Sequence, residues 1–211
     1  MHTLVGKPLI SKKSHAKQAT DSAMQCRQYF MDEKEDAETL CRLLFGRIPH
    51  SGEFAAICGG DTDDVEVVIG TDKAGIYLEY RHASLDCIGS CLIYRGSDSR
   101  IILSNESPRF LCRAGIEQKK HRWFFRQKNA CQRLGISTMT VNAAKTTITQ
   151  GYFYYPLFGF DAAIPESVRG LLPEILNECR TLTELYEHPD GKAFWFQYGV
   201  ACQMTAEIRK L

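Results

Sequence analysis

The stretch "ACQRLGISTMTVNAA", residues 130–144, changes its period at a single glycine. Upstream of it, within residues 114–135, Ile116, Trp123, Phe124, Ala130, Cys131 and Leu134 line one face of a helix. Lys119, Lys120, Arg126 and Lys128 keep to the wet side. This segment is long enough for about six turns at 1.5 Å per residue. Gly135 stands where a helix stops. From Ile136 the residues are β-branched and alternating, which predicts a strand. A helix that enters a strand through one Gly adds that strand to a sheet it has just crossed.

The sheet lies before it. In residues 50–82, Val65, Val67 and Ile69 alternate with Glu66 and Val68, "GTDKAG" is turn chemistry, and Ile76–Tyr80 is a second strand. In residues 86–110, Ile88–Tyr94 reads as a strand, "RGSDS" as a tight turn and Arg100–Ser104 as its partner. Residues 55–105 are thus expected to form an antiparallel meander of three or four strands. Residues 20–46 carry a helical pattern through Ala37, Leu40, Cys41, Leu43, Leu44 and Ile48, with Gly46 and Pro49 as the stop. After residue 150 comes "GYFYYPLFGFDAAIP", 151–165, whose rings suit a core, a nucleic-acid stacking surface or a ligand wall. Helical pieces follow: Pro165 suits a helix start, Pro173 breaks that helix or starts the next, and "TLTE" at 181–184 matches a capping box. The pattern does not type "AFWFQYG" or "VACQMTAEI". The fold class expected is α/β in the broad sense (α+β): a mixed, mostly antiparallel sheet flanked by helices, with a helical C-terminal extension. Residues 1–20 read as a flexible polar arm and 21–211 as a single domain, with its core at about 36–162 and the extension at 163–211.

Lys and Arg total 26 against 25 Asp and Glu, so charge exerts no general pull toward nucleic acid or anionic membrane. No apolar run reaches the roughly 18 residues of a membrane helix, and residues 1–18 lack the apolar stretch of a secretory signal. The nine cysteines are scattered, with no CxxC and no zinc-finger spacing. They read as small apolar fillers of a reducing, cytoplasmic compartment, and no metal site is expected. No Ser/His/Asp, HExxH or P-loop arrangement stands out.

The order helix, antiparallel strands, long helix, strand and aromatic segment ending in Gly-Phe resembles the GNAT superfamily of N-acetyltransferases. The likeness rests on "ACQRLGISTMTVNAA" followed by "GYFYYPLFGFD", and covers roughly residues 36–162. The segments "GYFYYPLFGFDA" and "LTELYEHPDGKAFWFQYG" are similar to those of a poorly characterised bacterial and phage group of GNAT-like proteins. The resemblance implies direct acetyl transfer from acetyl-CoA to a small-molecule or protein amine; the even charge and the lack of a membrane-length apolar run lead to no nucleic acid or membrane as an expected partner. It implies a pyrophosphate site at the start of the long helix, where backbone N–H groups and the helix dipole favour anions. In this chain "LCRAGIEQKK" occupies that place, so Arg113, Ala114, Gly115, Gln118 and Lys119 are the implied cofactor-binding residues. The stretch departs from the family's glycine-rich loop, because Ile116, Glu117, Gln118 or Lys119 stand where further glycines are usual. Tyr155, four residues before Gly159-Phe160, matches the position of the acid that protonates the leaving thiolate. Its alternative is a core tyrosine. Glu106 and Glu79 are the carboxylates available near the central strands as a base, with Glu106 the preferred candidate. Two functions stay open: an N-acetyltransferase, or a GNAT-like binding or structural module without cofactor chemistry.

Overall fold

The computed structural model describes residues 27–31, 33–59, 65–72, 75–82, 87–106, 117–145 and 150–208. The N-terminal arm at 1–20 and the candidate residues Arg113, Ala114 and Gly115 lie outside the described residues.

Seven strands form one sheet in sequence order: β1 Arg27–Phe30, β2 Val65–Asp72, β3 Gly75–His82, β4 Cys87–Arg95, β5 Ile101–Asn105, β6 Ile136–Ala143 and β7 Cys202–Glu207. The pairs β1/β2 and β5/β6 are parallel, and the other four are antiparallel. The fold is therefore mixed α+β with a mostly antiparallel sheet, and β2–β5 are the meander expected from the alternation. Helices α1 Lys34–Phe45 and α2 Ser51–Ile57 join β1 to β2, and α3 Glu117–Arg133 joins β5 to β6. A parallel pair needs such a crossover, and a helix supplies it. Gly135 makes the switch from α3 to β6 with φ of 72°, a left-handed conformation that a β-carbon disfavours.

One face of the sheet holds the core. Its rows run Ile69–Leu78–Cys91–Asn105–Val141–Met204 and Ile76–Ile93–Leu103–Met139–Ala206 across paired strands, all buried. Helices α1, α2 and α3 cover this face: α1 and α2 flank a hollow floored by Ile69, and α2 packs on α3. The expected apolar face of α3 is present, with Trp123, Phe124, Ala130, Cys131 and Leu134 buried. The side chain of Ile116 lies outside the described residues.

Three expectations change. The helical reading of residues 20–46 fails at 27–30, where "RQYF" adds parallel to β2 as an edge strand. Four residues gain this pairing only from tertiary structure, which local pattern does not carry. In α1 itself Leu43 is 68% exposed, and Ile48 beyond it also faces solvent, so the buried stripe is Ala37, Cys41 and Leu44. The start of the 50–82 stretch is a helix, not a strand: Phe54 and Ile57 bury at helical spacing, and Glu53 bonds back to the His50 N–H at 3.0 Å. The C-terminal segment is not only a helical extension, because "VACQMTAEI" contributes β7, antiparallel to β6. Before β7 come α4 Gly151–Tyr154, a 3-10 turn Tyr155–Phe158, α5 Glu166–Arg169, a second 3-10 turn Glu174–Leu176, α6 Leu182–Glu187 and α7 Gly191–Tyr198. The capping box at α6 is formed: Thr181 accepts from the Glu184 N–H, and Glu184 accepts from the Thr181 N–H. Among the described residues no helix is long and apolar enough to cross a membrane.

Candidate functional site

Because β5 and β6 are parallel, their C-terminal ends lie at the same edge of the sheet. Glu106 leaves β5 there, and Ala144 leaves β6 there. The crossover from β5 also returns toward β6 from that edge, so α3 begins at it, with Gln118 and Lys119 in its first turn. The aromatic segment starts at the same place: the Tyr152 N–H bonds the Ala144 carbonyl at 3.2 Å. Ligands of open sheets with parallel strands commonly sit at such C-terminal ends.

Within this edge the two candidate catalytic residues occupy different settings. Tyr155 is 2% exposed, with its hydroxyl closed off from solvent. Its ring meets Phe124 of α3 edge-on at 5.6 Å and Phe160 at 5.2 Å. It therefore belongs to the core side of the sheet, under α3. Glu106 is exposed, and its Oε1 accepts from the Ser104 hydroxyl at 2.8 Å. Ser104 alternates with the buried Leu103 and Asn105, so Glu106 sits toward the other face. Glu79 lies on that other face as well, half-buried between Leu78 and Tyr80 of the core row. Of the implied cofactor residues, Gln118 and Lys119 lie on α3, and nothing is described of their side chains.

The same edge contains a polar pair that sequence reasoning missed. Asn105 is 1% exposed and Gln127 is fully buried. The Gln127 amide donates to Asn105 Oδ1 at 3.1 Å and to the Ile57 carbonyl at 2.7 Å, and Asn105 Nδ2 donates back to Gln127 Oε1 at 3.4 Å. One side chain thus locks α2, α3 and β5 together, and each buried amide is satisfied as burial requires. The signal was in the sequence: Gln127 falls on the apolar stripe of α3, between Phe124 and Ala130.

The rings of "GYFYYPLFGFD" mostly build structure. The Trp195 indole N–H donates to the Tyr152 carbonyl at 2.9 Å, the Tyr152 hydroxyl to the Phe196 carbonyl at 2.8 Å, and the Tyr186 hydroxyl to the Phe153 carbonyl at 2.7 Å. Gly159 turns the chain with φ of 84°, and Asp161 then accepts from the N–H groups of Ala162 and Thr183, both at 2.9 Å. Asp161 so anchors the segment to the start of α6. Its backbone also pairs with Thr205 of β7. Lys145 Nζ lies 4.8 Å from the Tyr152 ring centroid and donates to the Gly199 carbonyl at 2.5 Å.

Six of the described cysteines are free thiols: Cys41, Cys58, Cys91 and Cys131 are buried, and Cys179 and Cys202 half-buried. Burial pushes the Cys41 and Cys202 thiols up to about 11, and burial followed by the neighbouring Cys91 pushes Cys131 higher still. Thiols so held are poor nucleophiles at neutral pH. Among the described residues no group of three His, Cys, Asp or Glu is placed to hold a metal ion. No family model matches the chain, and no curated protein matches it in sequence.

Proposed function

We propose that the chain is an acyl-CoA-dependent N-acetyltransferase of the GNAT type, moving acetyl from acetyl-CoA directly to an amine. The observation that carries the reading is the convergence of three elements on one edge: the ends of β5 and β6, the start of α3, and the aromatic segment with Tyr155. Acetyl-CoA supplies the activated acetyl thioester. The N–H groups at the start of α3 suit its pyrophosphate, with Arg113, Ala114, Gly115, Gln118 and Lys119 as the residues that hold it. Glu106, exposed beside this edge, takes a proton from the attacking amine, directly or through water. Tyr155 gives its phenol proton to the departing thiolate, a match in acidity, since phenol and thiol pKa values are about 10 and 8.5.

A second reading rests on the burial of Tyr155. A phenol enclosed by Phe124 and Phe160 is well used as core, and the glycine-poor "RAGIEQKK" adds to that side. On this reading the chain keeps the architecture but works as a binding or structural module.

Titration with acetyl-CoA, followed by thermal shift or calorimetry, separates the two. A ligand at one hundred times its Kd stabilises the folded state by about 2.7 kcal/mol. That raises the melting temperature of a chain this long by roughly 5–10 °C. Absence of any shift at millimolar acetyl-CoA removes the enzyme and leaves the module. Where binding is seen, Tyr155→Phe should keep the affinity and lower turnover; unchanged turnover withdraws Tyr155 as the acid.

A further inference from the structure

The helical layer over the core face ends before the sheet does. Helix α3 covers β5 and β6, but the last paired residues of the buried row, Met139 of β6 and Ala206 of β7, floor a groove of about 240 Å³ beside it. Ala206 is small, and the hollow above it is closed on one side by rings. Phe124 stacks on Phe158 at 4.4 Å and meets Phe160 edge-on at 5.8 Å. The rim comes from the outward face of α3. His121 and Lys128 stand two turns apart, both exposed, with Phe125 between them 66% exposed. His121 meets Phe158 edge-on at 4.8 Å. Among the described residues no Asp or Glu lines the groove.

We infer that this groove binds a small aromatic acid: a body of one or two rings carrying a carboxylate, sulfonate or phosphate. Size and chemistry both support this. An apolar cavity of about 150 Å³ accepts benzene, so the groove has room for a single ring or a fused pair. Ring walls favour an aromatic guest through edge-to-face and offset contacts. A rim whose described polar groups are the His121 imidazole and the Lys128 ammonium favours an anion over a neutral or cationic guest. The inference stands apart from the acetyltransferase reading, since it uses none of the residues assigned to acetyl-CoA or to catalysis.

The test uses 2-naphthalenesulfonate, with 2-naphthalenemethanol as the neutral counterpart, titrated into the full chain and followed by amide NMR shifts. Saturable shifts centred on residues 121–128, 158–160 and 206 are expected, with the neutral probe roughly tenfold weaker. Lys128→Glu, an exposed change that leaves folding intact, should weaken the sulfonate by roughly five- to tenfold and leave the neutral probe unchanged. Ala206→Leu, where it folds, should fill the hollow and abolish both. Shifts elsewhere, equal affinity for the two probes, or an unchanged sulfonate affinity in Lys128→Glu would overturn the assignment. So would shifts that follow protein concentration instead of probe, which would make the groove a contact between copies of the chain.

Discussion

Two corners of the molecule hold short helices against the same sheet by opposite means. At the α1–α2 corner the work is done by charge. Arg47 grips the Glu53 carboxylate with both terminal nitrogens, one at 2.7 Å, while the His50 N–H bonds it at 3.0 Å. Arg95 reaches from the end of β4 to the Leu43 and Leu44 carbonyls at 3.1 and 3.4 Å, where α1 presents the negative end of its dipole. At the α4–α7 corner the work is done by rings whose polar tips donate to backbone carbonyls, as Trp195, Tyr152 and Tyr186 do. The charged corner also buries Phe54 and Ile57, but its ion pair depends on protonation state. The aromatic corner buries large rings and uses neutral donors, so it should outlast changes of pH and salt that loosen the other.

The largest expected effect tests the aromatic side. Trp195 is fully buried and bonds the Tyr152 carbonyl. Trp195→Ala should cost about 3–5 kcal/mol, through lost burial and the cavity left behind. Thermal unfolding should show a fall of roughly 10 °C or more. A loss under about 1 kcal/mol would mean that the C-terminal helices are fixed by β7 and not by the rings.

Glu53 tests the charged side. The Arg47 guanidinium, outweighing the opposing effect of burial, holds its carboxyl down at about 2. A depressed folded pKa means that the stabilisation is complete above the ordinary glutamate range and is lost as pH falls through that range toward 2. Glu53→Gln should cost about 1–2 kcal/mol at neutral pH, less than an unscreened buried pair, because Arg47 is half exposed. The variant and parent should converge in stability as pH drops from about 4.5 to 2, measured by denaturant titration at each pH. A difference that stays constant across that range would show that the carboxylate acts through shape and not charge.

The comparison also explains which parts were legible in the sequence. The central strands, α3 and the turn at Gly135 were readable because their apolar periods are local and their stop signals sit between them. β1 was not, since "RQYF" is strand only by pairing with β2. β7 carried a true alternation, Cys202, Met204 and Ala206, but two of the three are small and the signal is weak. The candidate edge was readable in outline, because the family resemblance singled out Tyr155 and the start of α3, and Glu106 follows the "IILSN" strand. Its interior was not. The Asn105–Gln127 lock needs two polar residues 22 apart to meet under a helix, and the buried setting of Tyr155 depends on Phe124 and Phe160 closing over it. Asp161 stands two residues after Gly159, yet its carboxylate ties the segment to Thr183, far along the chain.

The smallest effect separates the rings from their hydroxyls. Tyr152→Phe and Tyr186→Phe remove only an O–H and leave the Phe196 and Phe153 carbonyls to find water. Each should cost about 0.5–1.5 kcal/mol, and the pair should be nearly additive if each hydroxyl serves its own carbonyl. Burial raises both phenols, Tyr186 well beyond the ordinary range. A raised folded pKa places their stabilisation below the unfolded value of about 10, to be lost only as pH climbs past it. From pH 5 to 9 both variants should therefore run parallel to the parent, a flat difference where Glu53→Gln shows a sloped one at acid pH. A slope in that range would mean that charge reaches the aromatic corner after all.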